Sequence, residues 1–195
     1  MVEDMKNIKI KLFLYYLFMI LYLEFIFKIF VFNKIIDLSS LYIIIFSIPL
    51  VLFLTLISKF FNEKLNKVIT YIITSFTIII FWFQYIYNIL FSTIFSFNNV
   101  GLASQAWDFR SIIFNQVKNS WVQLLLLLIP LIVLIILNKR ISFHKLDIKH
   151  KALNILLVLI LSLSNLLLLI PSKNIQYGAY EMYFLTNDPT VSANS

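Results

Sequence analysis

The chain has 195 residues, of which 61% are hydrophobic and 13% are charged, and its mean hydropathy is +0.92. Soluble domains are about half apolar and about a quarter charged, so this composition excludes an ordinary soluble domain and predicts a membrane protein. The formal net charge is +7, but the basic residues lie in short segments between apolar runs, which indicates membrane topology and no nucleic-acid partner. The absence of cysteine excludes disulfides and thiolate metal sites.

Five apolar runs are long enough to cross the hydrocarbon core, which takes about 20 helical residues. The third run is rich in β-branched and aromatic residues, but a lone strand in lipid would leave its backbone groups without partners, so helices are predicted throughout. The predicted fold class is therefore all-α, a polytopic membrane protein. Its five transmembrane helices are predicted at about residues 10–32, 38–57, 68–91, 121–137 and 152–170.

Two of these helices contain a proline, Pro49 in the second and Pro130 in the fourth. Proline has no N–H to donate, so each removes one helical hydrogen bond and predicts a kink.

The orientation follows from the distribution of lysine and arginine. The N-terminal tail and the segments 59–67 and 138–151 together carry eleven basic residues, and the segments on the other side carry four. Because basic residues accumulate on the cytoplasmic side, the N-terminus is predicted in the cytoplasm. Five crossings then put the C-terminus outside.

The outer segment between the third and fourth helices has a helical period of its own. Apolar residues recur there at spacings of three and four, which predicts an amphipathic helix over about residues 103–117. It is too short and too charged to cross the membrane and is suited to lie on the outer surface. Trp107 and Trp121 flank it and Arg110 lies within it, so these three are candidate outer-interface residues, although interfacial tryptophan needs no further function.

Four polar residues predict a cluster inside the membrane. Glu24 and Lys28 are four residues apart in the first helix, and Gln84 and Asn88 have the same spacing at a similar depth in the third. The cluster either holds the two helices together or faces a lipid headgroup or substrate. Glu24→Ala is expected to destabilise more than Lys28→Ala, because Lys28 could extend outward to the surface.

No residue pattern predicts catalysis, cofactor binding or metal binding in this chain. His144 and His150 lie six apart in a basic segment with one carboxylate between them, and no further ligand is evident. The basic segment 138–151 could bind anionic lipid headgroups, although the positive-inside bias explains its charge by itself.

Four stretches resemble the N-terminal membrane domain of the lipoteichoic acid synthase family, the phosphoglycerol transferases with an extracellular sulfatase-like domain of the alkaline phosphatase superfamily. They are LYLEFIFKIF at 21–30, FSTIFSFNNVGLASQAWDF at 91–109, NSWVQLLLLLIPLIVL at 119–134 and YFLTNDPTVSANS at 183–195.

The resemblance implies a membrane anchor domain in a bacterial cytoplasmic membrane, with membrane lipids such as phosphatidylglycerol as partners. In the family, the nucleophile and a divalent metal belong to the sulfatase-like domain, so no catalytic or metal-binding residue is carried over to this chain. Residues 172–195 are expected to be an extracellular juxtamembrane connector that stops before a catalytic domain. The alternatives are a small transporter or permease subunit, or an envelope scaffold protein.

Overall fold

The computed structural model describes residues 9–33, 38–95 and 110–169, and this part of the chain is mostly helical. Its elements in chain order are β1 (Ile10–Lys11), α1 (Leu12–Phe32), α2 (Leu38–Ser58), α3 (Glu63–Phe91), α4 (Arg110–Asn119), α5 (Trp121–Leu127), α6 (Ile129–Leu137), β2 (Ile141–Ser142) and α7 (Ile148–Leu169). The predicted all-α class is confirmed, apart from the two short strands.

The core of the helix bundle is built around α1. This helix contacts α2, α3, α5 and α6, whereas α7 packs chiefly on α2 and is exposed on most sides. Buried residues recur along α1 at spacings of three and four, which is the period of one helix face. They include Leu12, Tyr16, Met19, Leu23 and Phe27.

Four helices in the described residues, α1, α2, α3 and α7, are long and apolar enough to cross a membrane. A fifth crossing depends on α5 and α6, which together cover Trp121–Leu137 and are preceded by α4 at a bend of 73°. Neither α5 nor α6 spans about 30 Å alone, because a helix rises only about 1.5 Å per residue. The helices therefore support a multi-pass membrane protein with four or five crossings.

The third helix begins five residues earlier than predicted and is 29 residues long. The side chain of Asn62 accepts a hydrogen bond of 3.0 Å from the backbone N–H of Leu65, and Glu63 lies in the first turn. A side-chain cap and an acidic first turn both stabilise a helix N-terminus. Much of the charged segment predicted as a loop is thus the start of α3.

The two short strands join distant parts of the chain. β1 and β2 pair in parallel, with Ile10 opposite Ile141 and Lys11 opposite Ser142. The predicted first helix accordingly begins at Leu12, because the two residues before it are extended. This pairing places the segment that precedes α1 beside the segment that links α6 to α7.

The two prolines have different effects on their helices. α2 continues through Pro49, whereas the fourth predicted helix is divided at Leu128, two residues before Pro130. There the backbone N–H of Leu128 donates to Leu125 O at 3.0 Å, three residues back, and Leu124 O loses its usual helical donor. The helix is thus interrupted beside Pro130, where a kink is predicted.

Candidate functional site

The carbonyls released around Pro130 each receive a donor from another helix. Proline has no N–H for the carbonyl four residues before it, so Leu126 O is free of its helical bond. The hydroxyl of Tyr22 on α1 donates to Leu126 O at 3.0 Å. The indole Nε1 of Trp82 on α3 donates to Leu124 O at 3.0 Å. The break leaves two backbone carbonyls without helical donors, which lipid cannot replace. The side chains of Tyr22 and Trp82 supply these donors.

The carbonyl that the proline of α2 releases also has a side-chain donor from another helix. Pro49 leaves Ile45 O without its helical donor, and the amide Nδ2 of Asn165 on α7 lies 3.5 Å from that oxygen. Asn165 is buried, although most of α7 is exposed. This contact joins the outermost helix to the bundle at the carbonyl that the proline releases.

Two adjacent tyrosines connect α1 to three other helices. The Tyr15 hydroxyl lies 2.9 Å from Thr74 Oγ1 on α3 and donates to Pro130 O on α6 at 3.2 Å. The Tyr16 hydroxyl is hydrogen-bonded to Ser58 Oγ at the end of α2. Both tyrosines are buried, so these bonds lie inside the bundle.

The predicted pairing of Glu24 with Lys28 is not formed. Lys28 is fully buried and its Nζ donates to Ser40 Oγ at 2.8 Å, in the first turns of α2. Glu24 is half-buried, and within the described residues no hydrogen bond or ion pair joins it to Lys28. Lys28 therefore lies inside the bundle and does not extend to the surface.

Gln84 and Asn88, the other two members of the predicted cluster, lie on α3. Gln84 binds the backbone of Phe95 in both directions, accepting from its N–H at 3.0 Å and donating to its carbonyl at 3.3 Å. Asn88 is half-buried and its carbonyl accepts from the N–H of Ser92 at 2.7 Å, which ends α3. The structure does not bring Glu24, Lys28, Gln84 and Asn88 into one network.

Helices α1 and α3 nevertheless meet in the half of the membrane where the cluster was predicted. Phe27 packs edge-on against Phe81 with ring centroids 5.7 Å apart, and Phe30 lies 5.5 Å from Tyr85. The contact is aromatic, because the polar side chains at this level bind α2 and the segment after α3.

The outer-interface residues lie partly outside the described residues. Trp107 and residues 103–109 of the predicted amphipathic helix fall there, as do Ile170 and the connector 172–195. Arg110 begins α4, which continues to Asn119, and Trp121 begins α5 with 60% of its surface exposed. α4 has no buried residue, and its bend of 73° from the next helices fits a helix lying along a membrane surface.

Each of the two histidines lies beside a carboxylate at the other end of the bundle. His144 Nδ1 is 3.2 Å from Glu63 Oε2, and His150 Nδ1 is 3.7 Å from Asp147 Oδ2. Within the described residues, histidine, aspartate and glutamate do not gather in a group of three or more that could hold a metal ion.

Several of these contact residues were not singled out by their sequence pattern. The carbonyls of Ile45 and Leu126 can be identified as free acceptors from the prolines alone, since the acceptor is always four residues earlier. Their donors Tyr22 and Asn165 cannot, because nothing in the sequence says which helices face each other. Comparison with protein-family models, with curated proteins and with solved structures finds no match for this chain.

Proposed function

We propose that this chain is a membrane anchor domain that holds an extracellular phosphoglycerol transferase domain at the outer leaflet, as in the lipoteichoic acid synthase family that it resembles. In this proposal α5 and α6 form one broken crossing, so the chain crosses five times. The N-terminus then lies in the cytoplasm of a bacterium, and α7 leads to the outside.

The observation that carries the proposal is that polar side chains of one helix bind another helix. Hydrogen bonds from Tyr15, Tyr16, Tyr22, Trp82 and Lys28 each join one helix to another. Such bonds contribute about 0.6–2 kcal/mol each in a membrane. A bundle whose helices are tied together at several levels suits a static anchor, which has to keep its shape while another domain does the chemistry.

The arrangement of the chain supports the orientation in this proposal. The segments before α1, between α2 and α3 and between α6 and α7 contact one another through backbone hydrogen bonds at one end of the bundle. These are the segments with most of the basic residues, which favour the cytoplasm.

A small transporter is the second candidate, and Glu24 is the observation that favours it. A carboxylate that is half-buried in a membrane helix, with no ion pair to the lysine one turn away, marks a pathway for ions or substrate in many transporters. Against this candidate, transport would require the helices to separate, and the hydrogen bonds between them oppose that movement.

The experiment that tests the anchor proposal is a chimaera. The chain is fused before the extracellular domain of a lipoteichoic acid synthase and expressed in cells depleted of their own enzyme. We expect glycerophosphate polymer to be restored, and the same domain on a single unrelated helix serves as control. The proposal is wrong if the control makes polymer and the chimaera does not. This outcome counts only when the chimaera is inserted and its outer domain cleaves a soluble substrate.

A further inference from the structure

The basic residues at one end of the bundle belong to a single fixed surface. The N–H of Ile10 donates to Arg140 O at 2.8 Å, and the N–H of Leu146 donates to Lys59 O at 3.2 Å. The Lys151 ammonium donates to Phe60 O at 3.2 Å and lies 4.1 Å from the centre of the Phe60 ring. Three segments that are distant in the sequence are thus held side by side.

Asn66 is the central connection of this surface. It is fully buried, and its amide Nδ2 donates to Phe143 O at 2.9 Å and to Phe61 O at 3.0 Å. Its Oδ1 accepts from the N–H of Phe61 at 2.9 Å. This one side chain binds the segment between α2 and α3 and the segment between α6 and α7. It holds the two segments together against the repulsion between their lysines.

The surface has a strong excess of positive charge. Among the described residues it carries two carboxylates, Glu63 and Asp147, and each is beside a histidine. Burial, and then the Lys11 ammonium, lower the pKa of Lys59. The basic platform, as we call this surface, consists of ten residues: Lys9, Lys11, Lys59, Lys64, Lys67, Lys139, Arg140, Lys145, Lys149 and Lys151.

Exposed apolar side chains occur among these cations. Phe60 and Phe61 are 51% and 46% exposed and lie between Lys59 and Lys64, and Leu65 and Val68 of the first turns of α3 are exposed as well. Phe60 and Phe61 lie between the end of α2 and the start of α3, two of the apolar helices. A lipid presents both a phosphate and an apolar chain at this level.

We propose that the basic platform binds anionic phospholipids of the leaflet that it faces, with lysines from at least two segments sharing one headgroup phosphate. Each lysine near such a surface strengthens binding about fivefold. The exposed phenylalanines lie at the boundary of headgroups and acyl chains. This inference does not depend on the proposed function, because any protein with this surface would select these lipids.

The test compares two pairs of substitutions in the purified full chain. K64Q/K145Q removes two exposed lysines from different segments of the platform. R110Q/K118Q is the control with the same loss of charge at the other end, where the two residues are about 12 Å apart along α4. Binding of phosphatidylglycerol and of phosphatidylcholine is measured by native mass spectrometry in detergent, with circular dichroism to verify folding.

We expect the unchanged chain to bind phosphatidylglycerol more tightly than phosphatidylcholine. K64Q/K145Q should weaken phosphatidylglycerol binding about 30-fold, and R110Q/K118Q less than about threefold. High salt should reduce the preference, because it screens exposed charges. Equal binding of the two lipids, or equal losses in the two folded variants, would overturn the inference.

Discussion

A proline in a membrane helix creates an acceptor at a known position, and in this protein both acceptors are used. Ile45 O and Leu126 O lie four residues before Pro49 and Pro130, and each has a side-chain donor from another helix. In water such a carbonyl would bind solvent, but in lipid only protein can supply the donor. Each proline therefore leaves a carbonyl to which a neighbouring helix donates.

The contact between Asn165 and Ile45 O can be isolated by a double-mutant cycle. Asn165→Leu should lower the free energy of unfolding by about 1 kcal/mol, as expected for a hydrogen bond between membrane helices. In a Pro49→Ala background, residue 49 regains an N–H and satisfies Ile45 O within α2, so Asn165→Leu should cost much less. Reversible unfolding in mixed micelles gives the four values. The same cost in both backgrounds would mean that Asn165 stabilises by some other contact.

Replacing Lys28 should destabilise the protein more than replacing Glu24, which reverses the order expected from the sequence. Lys28 is fully buried and bonded to Ser40, whereas Glu24 is half-buried and has no ion pair to Lys28. Lys28→Met should therefore destabilise by about 2 kcal/mol, the scale of a hydrogen bond to a charged group. Glu24→Gln should cost less than half of that. Thermal unfolding of the two variants side by side decides the order, and a larger loss from Glu24→Gln would restore the predicted cluster.

At the scale of elements, the length of the apolar runs was sufficient to predict the helices but not their ends. The start of α3 was recoverable, since Asn62 followed by Glu63 is a capping pattern. The pairing of β1 with β2 was not, because each strand has two residues and depends on a contact across most of the chain. The polar cluster stays a prediction for a related reason. A spacing of four shows that two side chains share a face, but the donor or acceptor on the opposing helix decides the bond.

The helix α4, which precedes the broken crossing, should lie in the outer interface with its apolar side in lipid. Phe114 and Asn115 are both exposed, and they point about 100° apart around the helix. Because the chain has no cysteine, a spin label can be attached at either position after a single substitution to cysteine. We expect oxygen, which concentrates in lipid, to reach the label at Phe114 more readily than the label at Asn115. Equal accessibility to oxygen would argue against an interfacial α4.

At the scale of the whole molecule, the two ends of the helix bundle differ in charge and composition. One end is a basic surface joined through Asn66, and the opposite end carries α4 and a group of aromatic residues in the last turns of α3 and just after it. The helices between them are linked by buried hydrogen bonds. An anchor with this asymmetry would hold its cytoplasmic end in anionic lipid and present the end of α7 to the outside.

Cysteine labelling in intact cells measures which side of the membrane each segment of this protein faces. Single cysteines replace Lys118, Lys139 and Ser172, and each is treated with a maleimide reagent that does not cross membranes. We expect labelling at Lys118 and Ser172 in intact cells, and at Lys139 only after the cells are permeabilised. Labelling of Lys139 in intact cells, or protection of Ser172 while Lys118 is labelled, would contradict five crossings with the basic platform in the cytoplasm.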